Sequence, residues 1–271
     1  MIEHTFKGAT TLNYVAEGPE AGPPLVFLHG VTGRWQTWLP VLAAFWADWR
    51  VYALDHRGHG RSGHVRDGYR IVDYAADTIE FLQQQVERPA VLIGHSLGAM
   101  IAIAVAAEAP DLVRAAVLED PPIGAFSDQP MRERAEYPGF IATRDLARAG
   151  LPRERLFAML AERQPDVDAA MLGARTLSLS QMDPDVLTLI VDERAREGYD
   201  PLAGLARIAC PVLLQQGNVT LGAALEDERA AKARGLLAMG TFERFDNVGH
   251  GIHSEQPFAF CRSVREFLAR I

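Results

Sequence analysis

The chain has little cysteine, almost no lysine and no long apolar run, and each shortage excludes something. Cys210 and Cys261 are its only cysteines. Two cysteines without motif spacing make neither a disulfide framework nor a zinc site, so a reducing cytoplasm and two small buried apolar side chains are expected. No apolar stretch reaches the roughly 18 residues that a membrane span needs. Met1 to Thr10 lack the apolar core of a secretory leader, which again points to a cytoplasmic location. Lysine occurs only as Lys7 and Lys232, and the arginines are scattered rather than gathered in blocks. A formal charge of −8 makes nucleic acid and anionic membrane surfaces poor partners.

What is present is regular. The 271 residues suffice for one large α/β domain, or for one domain with a sizeable insertion. Short apolar runs at 24–28, 50–54, 90–93, 113–118, 212–214 and 241–245 read as strands. Helical spacing marks 71–86, 99–109 and 257–269, and residues 2–15 read as one or two antiparallel edge strands. Strands alternating with helices predict a mostly parallel, doubly wound α/β sheet. The interval from about 122 to 207 breaks this rhythm, with amphipathic stretches at 153–163 and 184–196 and no good strand. Roughly 80 residues are too many for an ordinary connection. The expected division is therefore a core of 1–121 and 208–271, with 122–207 as a helical cap inserted before the last two strands. Such a cap would sit over the carboxyl ends of the strands, where ligands bind in open α/β sheets.

Gly94-His95-Ser96-Leu97-Gly98 follows one strand and opens a helix. That context distinguishes a G-x-S-x-G nucleophile elbow from a chance match. The serine must sit on a sharp turn, and side chains two positions to either side would collide with the neighbouring strand and helix. The helix N-terminus behind Ser96 presents N–H groups to a developing oxyanion.

With that elbow, three further segments resemble the α/β-hydrolase family: His29-Gly30 after the first buried strand, the turn Asp55 to Ser62, and Gly249-His250. The resemblance extends over nearly the whole chain and implies the α/β-hydrolase fold, with Ser96 as nucleophile. It also implies the backbone N–H groups of Val31 and Leu97 as oxyanion donors, and a structural role for the Asp55–Ser62 turn. A serine nucleophile argues against the haloalkane dehalogenases and epoxide hydrolases of the family, which use an aspartate there. No metal or organic cofactor is implied.

Two histidines compete as general base, His250 and His253. Gly249 and Gly251 free the loop to turn His250 toward the serine, and His250 matches the family position. His253 is expected to pack or cap near the last helix, and His95 to be a pocket or packing residue. The acid departs from the usual pattern. The loop after the fifth of the runs above, 216–222, contains no carboxylate, and Glu226 and Asp227 look like helix N-terminal acids. Some branches of the family, zearalenone-type lactonases among them, carry the acid at the preceding strand end, where Asp120 falls. Glu119 and Asp120 point to opposite faces of a strand, so only one can meet His250. Asp120 is chosen, with Glu119 second and expected to bind structure rather than imidazole.

The reaction expected is hydrolysis of a small apolar ester or lactone through an acyl-enzyme, by a monomer or homodimer. C–C or amide cleavage on the same triad, and a slow-turnover receptor of the same fold, stay open. Trp35, Trp38 and Phe126 are candidate pocket residues, with core packing as the alternative for the two tryptophans.

Overall fold

The computed structural model describes residues 1–124 and 130–271. Eight strands run β1 (Glu3–Lys7), β2 (Thr11–Glu17), β3 (Pro24–Leu28), β4 (Arg50–Leu54), β5 (Ala90–His95), β6 (Val113–Glu119), β7 (Val212–Gln216) and β8 (Gly240–Arg244). They form one sheet in the order β1-β2-β4-β3-β5-β6-β7-β8. β2 is antiparallel to β1 and β4, and every other pairing is parallel. The continuous apolar runs of β3 and β5 lie in the interior of the sheet because both of their faces are covered.

Alternation along each strand sorts the core into two layers. Val26, Leu28, Leu92 and Leu118 pack with helices Ile71–Phe81 and Leu97–Glu108 on one face. Leu25, Phe27, Ile93 and Val117 pack with helix Pro257–Leu268 on the other. Helix Leu97–Glu108 is buried from Leu97 through Ala106, and its alanines allow the close approach to the sheet that the sequence suggested. The single helix expected over 71–86 is α-helical to Phe81 and widens into a π turn over Leu82–Val86. It stops at Glu87, whose left-handed φ of 57° cannot continue a helix.

Between β6 and β7 the chain forms helices Tyr137–Arg148, Arg153–Arg163, Ala169–Ser180, Asp185–Val191 and Pro201–Arg207. Among the described residues this stretch contains no strand. Asp168 and Asp200 cap two of these helices, each accepting two backbone N–H groups. The helix expected over 184–196 is shorter, because Glu193 takes a left-handed φ of 60° and turns the chain. Cys210 and Cys261 are partly rather than fully buried. Burial still pushes both thiols up, Cys210 to about 11, which keeps them poorly nucleophilic.

Candidate active site

Ser96 sits between the end of β5 and helix Leu97–Glu108, with φ 53° and ψ −113°. A non-glycine residue held there carries backbone strain, which the surroundings must impose. They do so through the two glycines. A Cβ on Gly98 would run into the Leu28 carbonyl at the end of β3, and one on Gly94 would run into the Gly98 backbone. The Ser96 N–H donates to the Glu119 carbonyl of the adjacent strand at 3.0 Å.

Asp120 directly follows β6, with a left-handed φ of 44°, and is fully buried. Its Oδ2 lies 2.6 Å from His250 Nδ1. The same carboxylate accepts N–H groups from Ala224 at 2.6 Å and from Gly217 and Leu225 at 3.3 Å each. Those donors come from the segment after β7. The loop that lacks a carboxylate of its own thus supplies backbone N–H groups that fix one brought in from β6. A carboxylate so held favours the tautomer with the proton on Nδ1, which leaves Nε2 as an acceptor.

Glu119 lies on the other side of the strand, as alternation requires, but the expectation that it avoids imidazole is wrong. It is fully buried and meets His253, whose backbone N–H donates to Oε1 at 2.8 Å. His253 Nδ1 lies 2.9 Å and 2.8 Å from the two carboxylate oxygens. Burial alone would push the Glu119 carboxyl up, but the facing His253 ring and its hydrogen bonds hold it below the usual range. His95 is paired with Glu119 in the sheet register, and its Nε2 lies 2.9 Å from the His250 carbonyl oxygen. Burial drives His95 down to about 3, so its ring is neutral and donates that bond. The loop carrying His250 is thereby fastened at two points, by His95 at residue 250 and by Glu119 at residue 253. Sequence reasoning missed this second acid–histidine pair, although the spacing His250-x-x-His253 beside Glu119-Asp120 was its one visible trace. His95, Glu119 and His253 have ligand atoms within 4.8 Å of one another, a donor set suited to a cation. Of these groups, His253 Nδ1 meets the Glu119 carboxylate and His95 Nε2 meets the His250 carbonyl.

The Asp55–Ser62 turn supports the loop after β3. Asp55 accepts N–H groups from Trp35 at 2.7 Å and Arg61 at 3.1 Å, and the Asn13 amide at 2.8 Å. His59 Nε2 lies 2.7 Å from the Val31 carbonyl oxygen. Among the described residues, neither the Val31 N–H nor the Leu97 N–H donates a hydrogen bond.

Ser96, His250, Val31 and Leu97 all line one cavity of about 190 Å³ that opens to solvent. Its other walls include Met100 and Tyr74 from the core, and Met131, Phe140, Val186 and Ile190 from the stretch between β6 and β7. The Tyr74 hydroxyl is sealed from solvent and, among the described residues, has no hydrogen-bond partner. Trp35 and Trp38 do not line this cavity, which corrects their reading as pocket residues. Both belong to the opposite core layer, where Trp38 packs on Phe27, Phe260 and His253. Phe126 lies outside the described residues.

A family model described as "Alpha/beta hydrolase family" matches residues 25–263. The 2-(acetamidomethylene)succinate hydrolase of Mesorhizobium japonicum is 37% identical over 113 residues, which are 42% of this chain and 40% of that protein. The chain thus aligns with about two fifths of that relative's length. The crystal structure of an E-2-(acetamidomethylene)succinate hydrolase superposes with TM-score 0.78, at 23% identity and over 99% of both chains. The enol-lactonase from Burkholderia xenovorans LB400 superposes with TM-score 0.76, at 23% identity, over 96% of this chain and 97% of that one. At these identities the two structures establish the shared fold.

Proposed function

The chain belongs to the α/β-hydrolase family, and from that premise we propose that it is a serine hydrolase cleaving a carboxylic ester or lactone through an acyl-enzyme. The observation that carries this reading is the 2.6 Å Asp120–His250 hydrogen bond beside a cavity that also takes in Ser96 on its strained turn. Ser96 Oγ attacks the substrate carbonyl while His250 Nε2 takes its proton. The Val31 and Leu97 N–H groups hold the oxyanion of the tetrahedral intermediate. Its collapse expels the alcohol, which receives the proton from His250. Water then attacks the acyl-enzyme with His250 again as base, releasing the acid and restoring Ser96.

The receptor reading leaned on the lack of a carboxylate after β7, and the Asp120–His250 bond weighs against it. Amide cleavage on the same residues is the second reading, favoured by the likeness to a 2-(acetamidomethylene)succinate hydrolase. The helical stretch between β6 and β7 acts as the selective cap in either case, since it supplies Met131, Phe140 and Ile190 to the cavity. A panel of nitrophenyl esters, lactones and anilides of graded acyl length tests the reading. An initial burst followed by steady turnover on esters and lactones supports it. Stoichiometric acylation without turnover supports the receptor, and a preference for anilides supports the amidase.

A further inference from the structure

His95, Glu119 and His253 take no part in the proposed chemistry, yet they gather beneath the loop that carries His250. The Glu119 and His253 side chains are 0% and 4% exposed, and His95 is partly exposed, which gives an ion a way in. Each residue offers one ligand atom, and those three atoms lie within 4.8 Å of one another. Two imidazoles and one carboxylate are the donor set that zinc and its first-row neighbours take. Bonds of about 2.0–2.2 Å in a tetrahedral arrangement put ligand atoms about 3.4 Å apart. Where His253 Nδ1 meets Glu119, at 2.9 Å and 2.8 Å, the cluster has to open by about half an ångström to admit an ion. Elsewhere it has to close by about 1.4 Å at most.

A second observation on the same face of the sheet points to a cation. Gln215 of β7 is the register partner of Glu119, and partners on neighbouring strands, about 4.8 Å apart, send their side chains to the same face. Gln215 is fully buried there. Its Nε2 donates to Ser263 Oγ at 2.8 Å, but its Oε1 is sealed from solvent and, among the described residues, has no donor. A buried carbonyl oxygen left without a partner is costly. Glu119 and Gln215 thus bring oxygen acceptors to one face, while the His253 N–H and ring both turn to Glu119. A cation satisfies a carboxylate and a neutral side-chain carbonyl at once.

We propose that His95, Glu119 and His253 form a binding site for a divalent transition-metal cation of the zinc class and, on the reading of His250 as base, that filling this site slows hydrolysis by displacing His250. The ion takes the place of the proton between His253 Nδ1 and Glu119. The N–H bond breaks, an N–metal bond forms, and the proton leaves to water. The same residues fasten the catalytic loop. His95 Nε2 meets the His250 carbonyl at 2.9 Å, and the His253 N–H meets Glu119 at 2.8 Å. An ion that parts His253 from Glu119 therefore shifts the segment just after His250, whose Nδ1 lies 2.6 Å from Asp120. A displacement of about 1 Å at a catalytic group costs on the order of 100-fold in rate.

The test titrates chelator-treated protein with Zn²⁺ in a calorimeter and follows p-nitrophenyl butyrate hydrolysis in the same samples. One Zn²⁺ per chain is expected to bind, with release of a proton, in the wild type and in Asp120→Asn, which alters the triad but none of the three ligands. Affinity is expected to fall by at least about tenfold in Glu119→Gln and in His95→Gln, since even the outer partners of a metal are worth about 10- to 100-fold. The glutamine at 95 can still donate to the His250 carbonyl, and circular dichroism confirms that both variants fold. Excess Zn²⁺ is expected to lower the wild-type kcat by about 10- to 100-fold, reversed by chelator, and to leave each ligand variant at its own metal-free rate. Co²⁺ in the wild type, which needs no variant, is expected to show the intense visible bands of a four-coordinate site. Absence of both the Zn²⁺ heat and the Co²⁺ bands overturns the site, as does binding that is lost in Asp120→Asn and kept in Glu119→Gln. Binding at the site with turnover unmoved, or inhibition that persists in both ligand variants, overturns the effect on His250 and leaves the site standing. If the metal-free protein cleaves no ester but Zn²⁺ binds and is lost in the ligand variants, the site stands and the catalytic reading falls.

Discussion

Glu119→Gln separates the two acid–histidine pairs. The substitution keeps the shape of a fully buried side chain but removes its charge. Glu119 now receives the His253 N–H at 2.8 Å and the His253 ring at 2.9 Å and 2.8 Å. A glutamine oxygen can keep the backbone N–H, but its amino group then faces Nδ1, where a protonated ring would set donor against donor. Hydrogen bonds to a charged group contribute about 1.5–3 kcal/mol, against about 0.5–1.5 for neutral ones. Downgrading two of them costs about 2–3 kcal/mol, and Glu119→Ala, which strands His253, costs about 3–5 kcal/mol. For a chain of this size that corresponds to a fall in Tm of about 5–10 °C for the glutamine variant. The expected kcat change is less than about tenfold, because Asp120 still holds His250. Thermal unfolding by circular dichroism and kcat on one ester at pH 8 are the two readouts. An unchanged Tm with a kcat loss of several orders of magnitude would show the opposite, that Glu119 serves the chemistry rather than the loop.

Three other outcomes are expected. Asp120→Asn should lower kcat by about 10⁴-fold with the fold retained, since an amide can hold the imidazole in the wrong tautomer; circular dichroism and ester kinetics check this. Stability should fall as the pH drops below 6.5. Burial holds His56 and His95 at about 3 in the folded chain, against 6.5 when free. A depressed histidine is neutral when folded and binds a proton when unfolded, so each costs about 1 kcal/mol between pH 7 and 5.5, with the loss continuing down to the folded pKa. His29 and His59, also pushed down by burial, add in the same direction. Urea midpoints across this range measure the effect, and a midpoint that rises on acidification would contradict it. Tyr74→Phe removes a sealed hydroxyl that has no partner among the described residues and should leave stability unchanged or raise it by about 1 kcal/mol, read from the urea midpoint.

The nucleophile elbow was legible because its constraint is local: Gly94, Ser96 and Gly98 are bound to one turn within five residues. His250 was legible through its flanking glycines. Asp120 was chosen on the family resemblance, which puts an acid at that strand end; alternation said only that one of Glu119 and Asp120 could face His250, and the left-handed φ of Asp120 was not legible. What the sequence hid depends on contacts between distant segments. Trp35 and Trp38 follow the oxyanion loop, but the face of the sheet on which they pack is set by Phe27, Phe45 and Phe260. The Glu119–His253 pair joins residues 134 positions apart. The boundary at Val191 depends on a single left-handed residue, Glu193, which periodicity does not register.

Every step of the proposed reaction passes through Ser96. A fluorophosphonate probe followed by peptide mass analysis reads the nucleophile directly. One modified residue, Ser96, is expected, with loss of ester hydrolysis in step with labelling. Ser96→Ala should take no label and lose about 10⁴-fold or more in kcat while folding normally. Labelling of a different serine, or an Ser96→Ala variant that still hydrolyses esters at the wild-type rate, would contradict it.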